Sequence, residues 1–186
     1  MGMIMQSKEN KVLKLFFNQP TKEWHFEEIL KETKMARSKV DRWLKKFTQD
    51  KIITRVKEKG KHSHYLGNYT SPEYKTRKKL FALHELSDSG LWKHLLSLPK
   101  AQTIIIFGSL ARSDWYQESD IDIFIYGDAE GLKIAPYELK LNREIQLFSC
   151  ENKAELNKMG SALLKNIIKG ELIKGDLDFL EVKLSA

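Results

Sequence analysis

The sequence predicts an α+β protein: three helices closed by a hairpin, then a helical connector, then a mixed-sheet α/β domain. Three observations carry this. Apolar residues recur at helical spacing through residues 7–47. Short apolar runs of strand length recur between residues 102 and 149. Charge also divides between the halves: residues 1–98 hold 21 Lys/Arg against 11 Asp/Glu, and residues 99–186 hold 11 against 14. The expected division is 1–70, a connector over 71–99, and 100–186.

Residues 7–18 place Val12, Leu13, Leu15, Phe16 and Phe17 on a helical stripe that Gln19-Pro20 stops. A second helix is expected over 26–33 with Phe26, Ile29 and Leu30 inward. A turn through Lys34-Met35-Ala36 leads to a third, whose apolar set is Val40, Trp43, Leu44 and Phe47. Ile52, Ile53 and Val56 suit a strand, Lys59-Gly60-Lys61 a hairpin tip, and Tyr65 and Leu66 the return strand. Pro72 opens a charged helix to about Leu86 with Leu80, Leu83 and Leu86 inward, and Ser87-Asp88-Ser89-Gly90 breaks it. LWKHLLSL predicts a short helix ended by Pro99. Strands are expected from 102, over 121–126 and over 144–149, then one helix over 151–169. The tail LIKGDLDFLEVKL suits a short strand and a last turn.

Net charge is +7 over 186 residues, and mean hydropathy is −0.46. No apolar run approaches the roughly 20 residues of a membrane span. The N-terminus lacks the charged start and long apolar stretch of a secretion signal. The single cysteine, Cys150, excludes an internal disulfide framework and a multi-cysteine zinc site. A cytoplasmic protein with no membrane partner is expected.

Residues 7–67 resemble a winged helix-turn-helix domain. FEEILKETKMARSKVDRWLKKFTQDKIITR and the hairpin over 55–66 carry the resemblance. It implies DNA as partner. Arg37, Ser38, Lys39 and Arg42 lie near the start of the third helix, where base edges are reached. Lys45 and Lys46 suit phosphates, and Arg55, Lys57, Lys59, Lys61, His62 and His64 charge the wing. The competing reading is a solvated face in a module that binds a protein partner. A two-fold homodimer is compatible with either. His62-x-His64 without a neighbouring acid or cysteine reads as wing decoration rather than a metal site.

The second half has a sharper motif. Ile104 to Phe107 end in Gly108-Ser109; ten residues later come Asp120-Ile121-Asp122 and the apolar run Ile123 to Tyr126. Alternate residues of a strand share a face, so both carboxylates point the same way. Gly108 lets backbone approach a phosphate. Ser109 offers a hydroxyl and an N–H, and Arg112 adds positive charge one turn on. Asp120 and Asp122 are hard oxygen ligands suited to Mg²⁺.

This segment, over roughly 100–170, resembles the nucleotidyltransferases of the DNA polymerase beta type, especially the minimal members. The resemblance implies Mg²⁺- or Mn²⁺-dependent transfer of a nucleoside monophosphate from a nucleoside triphosphate to an acceptor hydroxyl. Members usually supply a third acid from a neighbouring strand, here the one containing Glu144 to Ser149. Alternation puts Glu144, Gln146 and Phe148 on one face. Flanking residues place Gln146 at the third-acid position. Glu144, one pleat or about 7 Å along, is the candidate catalytic acid in a different register. A glutamine amide cannot act as a general base. Ser113 also departs from the glycine that many members carry after the Arg. Lys165 and Lys169 are further candidates to meet a triphosphate.

Two readings follow. One is a metal-dependent nucleotidyltransferase with a DNA-binding module in a regulatory setting. The other is a transcription regulator whose second domain is catalytically degenerate and binds nucleotide or dimerises.

Overall fold

The computed structural model describes residues 8–180. They fall into two compact units. The first runs to Ala82 and takes in Ser113–Glu118; the second comprises Leu83–Arg112 and the chain from Ser119 onward.

The first unit begins with α1 (Lys8–Asn18), β1 (Trp24–His25), α2 (Phe26–Thr33) and α3 (Arg37–Gln49). It continues through β2 (Ile53–Val56), β3 (His64–Gly67) and the first part of α4 (Pro72–Ser89). Lys34 adopts φ 53° and its N–H caps the Leu30 carbonyl, which ends α2 and aims the chain into α3. The Glu28 carboxylate accepts from the His25 N–H at 3.1 Å, and this bond lowers its pKa. Val12, Leu13, Phe16, Ile29, Val40 and Phe47 are fully buried. Each such side chain contributes about 1.5–3 kcal/mol relative to exposure. Phe26 and Leu30, expected inward, are only half-buried, and Thr33 is buried instead. Trp43 is half-buried and stacks on Phe47.

β3 pairs antiparallel with both β1 and β2. β1 was not expected. Two residues are too few for an alternation to register, and only the partner strand defines them.

α4 departs from its predicted face and end. Of the residues expected inward, Leu86 is buried, Leu83 half-buried and Leu80 56% exposed, whereas Tyr74, Lys78, Phe81 and Ala82 are buried. The inward stripe follows the aromatics because Phe17 meets Tyr74 and Phe81 edge-on. The Tyr74 hydroxyl donates to the Phe16 carbonyl at 2.8 Å, and burial holds its pKa well above the usual tyrosine range. The helix also continues through Ser87–Ser89 and stops only at Gly90, which takes φ 87°.

The second unit continues with α5 (Leu91–Leu96), β4 (Ala101–Phe107), α6 (Gly108–Arg112), β5 (Ile121–Gly127) and α7 (Ala135–Leu141). Then come β6 (Ile145–Cys150), α8 (Lys153–Leu156), α9 (Ser161–Ile168) and β7 (Glu171–Lys174). The sheet order is β6-β5-β4-β7, with β5 and β6 parallel and the other pairs antiparallel. β4 and β5 are interior strands, which is why their sequences are almost continuously apolar. One face of the sheet presents Ile105, Phe107 and Phe124 to Leu156, Ile167 and Phe179.

The single helix expected over 151–169 is two helices. Asn152 caps α8 by accepting from the Glu155 N–H at 3.0 Å, and Gly160 stands at the start of α9. Both residues favour helix ends over helix interiors. α7 was missed, although Pro136 in its first turn is a start signal. The tail contributes β7 and then a turn in which the Leu180 N–H donates to the Leu177 carbonyl at 2.9 Å; Ser7 and the tail beyond 180 lie outside the described residues. Among the described residues no helix is long and apolar enough to cross a membrane. Cys150 is buried and free.

Candidate nucleotide-binding site

β4 delivers the chain into Gly108, and β5 carries Asp122 directly across from it: Phe107 and Asp122 are register partners. Gly108 takes φ 72°, a conformation that L side chains resist. A Cβ built there would overlap Asp122 Oδ2 and lie 2.9 Å from Cγ. The carboxylate therefore occupies the space that glycine leaves. The two halves of the motif, fourteen positions apart in sequence (108 to 122), meet through this contact.

The Asp122 carboxyl is held above its ordinary pKa, first by burial and then by repulsion from Asp120, with Arg112 working the other way. Two carboxylates facing one another in a partly dry site create a demand for positive charge. Arg112 meets part of it from the end of α6.

β6 runs parallel beside β5, with Gln146 opposite Asp122 and Ile145 opposite Ile121. In this register Gln146 Nε2 donates to Asp120 Oδ2 at 2.5 Å. Glu144 stands one residue before the strand with an exposed side chain, and its carbonyl accepts from the Ile121 N–H at 2.9 Å. The residue that faces the aspartates from β6 is thus the glutamine. Lys165 and Lys169 are exposed on α9 and at its C-cap.

Sequence reasoning missed Arg143. Its Nη1 donates to the Ser119 carbonyl at 2.8 Å, one residue before Asp120. Burial works against its charge, while Glu85 and Asp120 favour it. An arginine in a loop before a strand carries no sequence signal of its own; only the register of β6 brings it there. Ser113, a departure from the family pattern, adopts φ 62° and is buried. That backbone state explains why glycine suits the position.

Among the described residues no group of three His, Cys, Asp or Glu side chains has metal-holding geometry. The donor set present is two carboxylates with a glutamine amide beside them. It fits a hard divalent cation that completes its shell with phosphate oxygens and water.

The nucleic-acid residues expected in the first unit lie on α3 and the hairpin. Arg37 pairs with Glu27 at 2.6 Å and lies over the Phe26 ring. Lys45 pairs with Asp41, Lys46 lies 3.8 Å from Glu9, and Lys61 pairs with Glu58. Ser38 is exposed at the start of the helix, as is Arg42 one turn on. Lys57 and Lys59 are exposed between β2 and β3. Lys39 has its pKa lowered by the neighbouring Lys8 and, less, by Arg42. Arg37, Ser38, Arg55, Ser63 and Tyr65 line an open hollow of about 760 Å³.

Residues 92–176 match the family model described as "Polymerase beta, Nucleotidyltransferase". This part of the chain is nucleotidyltransferase-like. No curated protein and no solved structure matches the chain.

Proposed function

We propose that the second unit binds a nucleoside triphosphate with Mg²⁺ or Mn²⁺, and that residues 1–70 form a winged helix-turn-helix that binds DNA. The protein is then a nucleotide-responsive DNA-binding regulator with weakened transfer chemistry. One observation carries this reading. Asp122 packs against the Gly108 turn, and Gln146, the residue expected at the third-acid position, donates to Asp120 beside it.

Asp120 and Asp122 would hold the cation, which supplies charge neutralisation to the triphosphate. Ser109 and Arg112 sit on the turn where phosphate oxygens would lie. Gln146 fixes the Asp120 rotamer through its amide. A neutral amide cannot accept a proton from an acceptor hydroxyl, so Gln146 offers no base at this position. The second reading, an active nucleotidyltransferase acting on an unidentified acceptor, draws on the intact Gly-Ser turn and both aspartates.

Incubation with labelled ATP and Mg²⁺ separates the two. Binding without label transfer, lost in Asp120→Ala/Asp122→Ala, is the expected result. Transfer that disappears in the same double variant identifies an enzyme, and absence of binding removes both readings.

For DNA, the support is crowded positive charge at the start of α3, where Lys39 lies beside Lys8 of α1 and Arg42. The acids now pairing Arg37 and Lys45 are exposed partners of weak hold that phosphates can replace. Substituting Arg37, Lys39 and Arg42 together should abolish a gel shift and flatten its salt dependence. An unchanged shift sinks the assignment, and absence of any shift in the parent favours a protein partner.

A further inference from the structure

The four-stranded sheet of the second unit ends in two unlike edges, β6 and β7. β7 carries Glu171 and Lys174 among its four residues, and charge of this kind guards an edge strand against unwanted pairing. β6, IQLFSC over 145–150, carries no charge. Leu147 is 37% exposed, Ser149 is exposed and Phe148 is half-buried.

The phase of the ladder fixes which main-chain groups of β6 face outward. β5 and β6 are parallel with Ile121 opposite Ile145, and the Ile121 N–H donates to the Glu144 carbonyl at 2.9 Å. Bonding to a given neighbour then falls on alternate residues. Gln146, Phe148 and Cys150 turn their N–H and C=O groups to β5, and Ile145, Leu147 and Ser149 turn theirs away. Both ends of this outer row are capped by carboxylates. The Ile145 N–H donates to Glu138 Oε1 at 2.9 Å, and just past the strand the Glu151 N–H donates to Glu155 Oε2 at 2.9 Å. Between the caps, among the described residues, the main-chain groups of Leu147 and Ser149 have no protein partner.

We propose that β6 pairs antiparallel with β6 of a second copy about a two-fold axis at Phe148, joining the two sheets into one. In that register Leu147 of one copy and Ser149 of the other exchange both main-chain bonds, twice over by symmetry. The free groups between the caps are then all satisfied. The next pair outward sets Ile145 against Glu151, whose donors both carry caps, so the ladder ends where the caps begin. A centre at Leu147 or at Ser149 would instead set a capped residue against a free one. This agreement of register with caps favours a second copy over an unrelated strand. The strand bears no charge to repel its twin, and the two Phe148 rings become close cross-strand neighbours. The half of the chain that carries β6 holds 11 Lys/Arg against 14 Asp/Glu, so net repulsion between copies is small. The pairing is independent of the nucleotide reading above.

The test uses the full chain. Sedimentation over a range of concentrations should show a monomer–dimer equilibrium. Leu147→Lys/Ser149→Lys sets lysines opposite one another at exposed edge positions and should weaken association about tenfold or more. Cysteine cross-linking reads the register. Hydrogen-bonded antiparallel partners stand about 5.5 Å apart at Cα, within disulfide reach. Leu147→Cys and Ser149→Cys chains, mixed and re-equilibrated without reductant, should give several times more cross-linked dimer than either variant alone. Cys150 is buried, and the parent chain supplies the background. A parent that stays monomeric at every concentration overturns the proposal, as does a dimer that tolerates both lysines. Cross-linking no stronger in the mixture than in the single variants also overturns it. If thermal melts show that the lysine variant fails to fold, the parent's sedimentation and the cysteine mixture decide.

Discussion

The two strands that meet at the candidate site carry opposite chemistry. β5 and the residue just before it bring two carboxylates, one of them pressed against Gly108. β6, in register beside it, brings a neutral amide, and the loop before it brings a half-buried arginine to Ser119. The β5 side has what a cation and a triphosphate need. The β6 side has what holds Asp120 still, and lacks what takes a proton. On the proposed reading, cation and triphosphate would be held from the β5 side and proton transfer would be limited from the β6 side, so the two can be tested separately.

The sharpest way to break the comparison is Gly108→Ala. The methyl would overlap the Asp122 carboxylate in a backbone state unfavourable to alanine. A loss of about 1–3 kcal/mol in stability is expected, with nucleotide binding abolished. Thermal melts and a Mg²⁺–ATP titration check both.

Gln146→Glu would give β6 the missing charge. Three carboxylates should raise Mg²⁺ affinity about tenfold and bring label transfer up from background. Without metal the same variant should melt a few degrees lower from repulsion at Asp120. Transfer that remains at background with tight Mg²⁺ binding would show that the third position is not what limits chemistry.

Asp122→Asn tests the β5 side. Burial and Asp120 both disfavour its charge, so the folded state raises its pKa. A raised carboxyl pKa opposes folding once the group ionises, so the penalty is absent in acid and present at neutral pH. The neutral variant should melt about 1–3 °C higher at pH 7 without metal, gain nothing in acid, and lose Mg²⁺–ATP binding. The smallest effect is expected from Ser113→Gly. Relief of the left-handed backbone is offset by added freedom in the unfolded chain, leaving stability within about 1 kcal/mol.

How much of this was legible varies by element. α1, α2, α3, β4 and β5 follow from apolar spacing, since their core faces are long enough to impose a period. Of the inward face of α4 only Leu86 follows from spacing; Phe81 does not, because its partners, Phe17 and Trp115, lie far away in sequence. The break at Gly160 and the helix at Pro136 were signalled locally and overlooked. β1 had no signal, being two residues defined by a partner.

For the site, the sequence by itself determined the Gly108-Ser109 turn, the aspartate pair and their common face, because strand geometry fixes side-chain direction from spacing alone. It also placed Gln146 on the same face as Phe148. Only the tertiary structure decided that Asp122 fills the space beside Gly108, that Gln146 and not Glu144 faces Asp120, and that Trp115 belongs to the first unit. Each of these is a question of register or of contact across long separations. Local periodicity leaves such matters open, because a strand's pattern is unchanged when its partner slides or when a distant aromatic offers a better place to bury a ring.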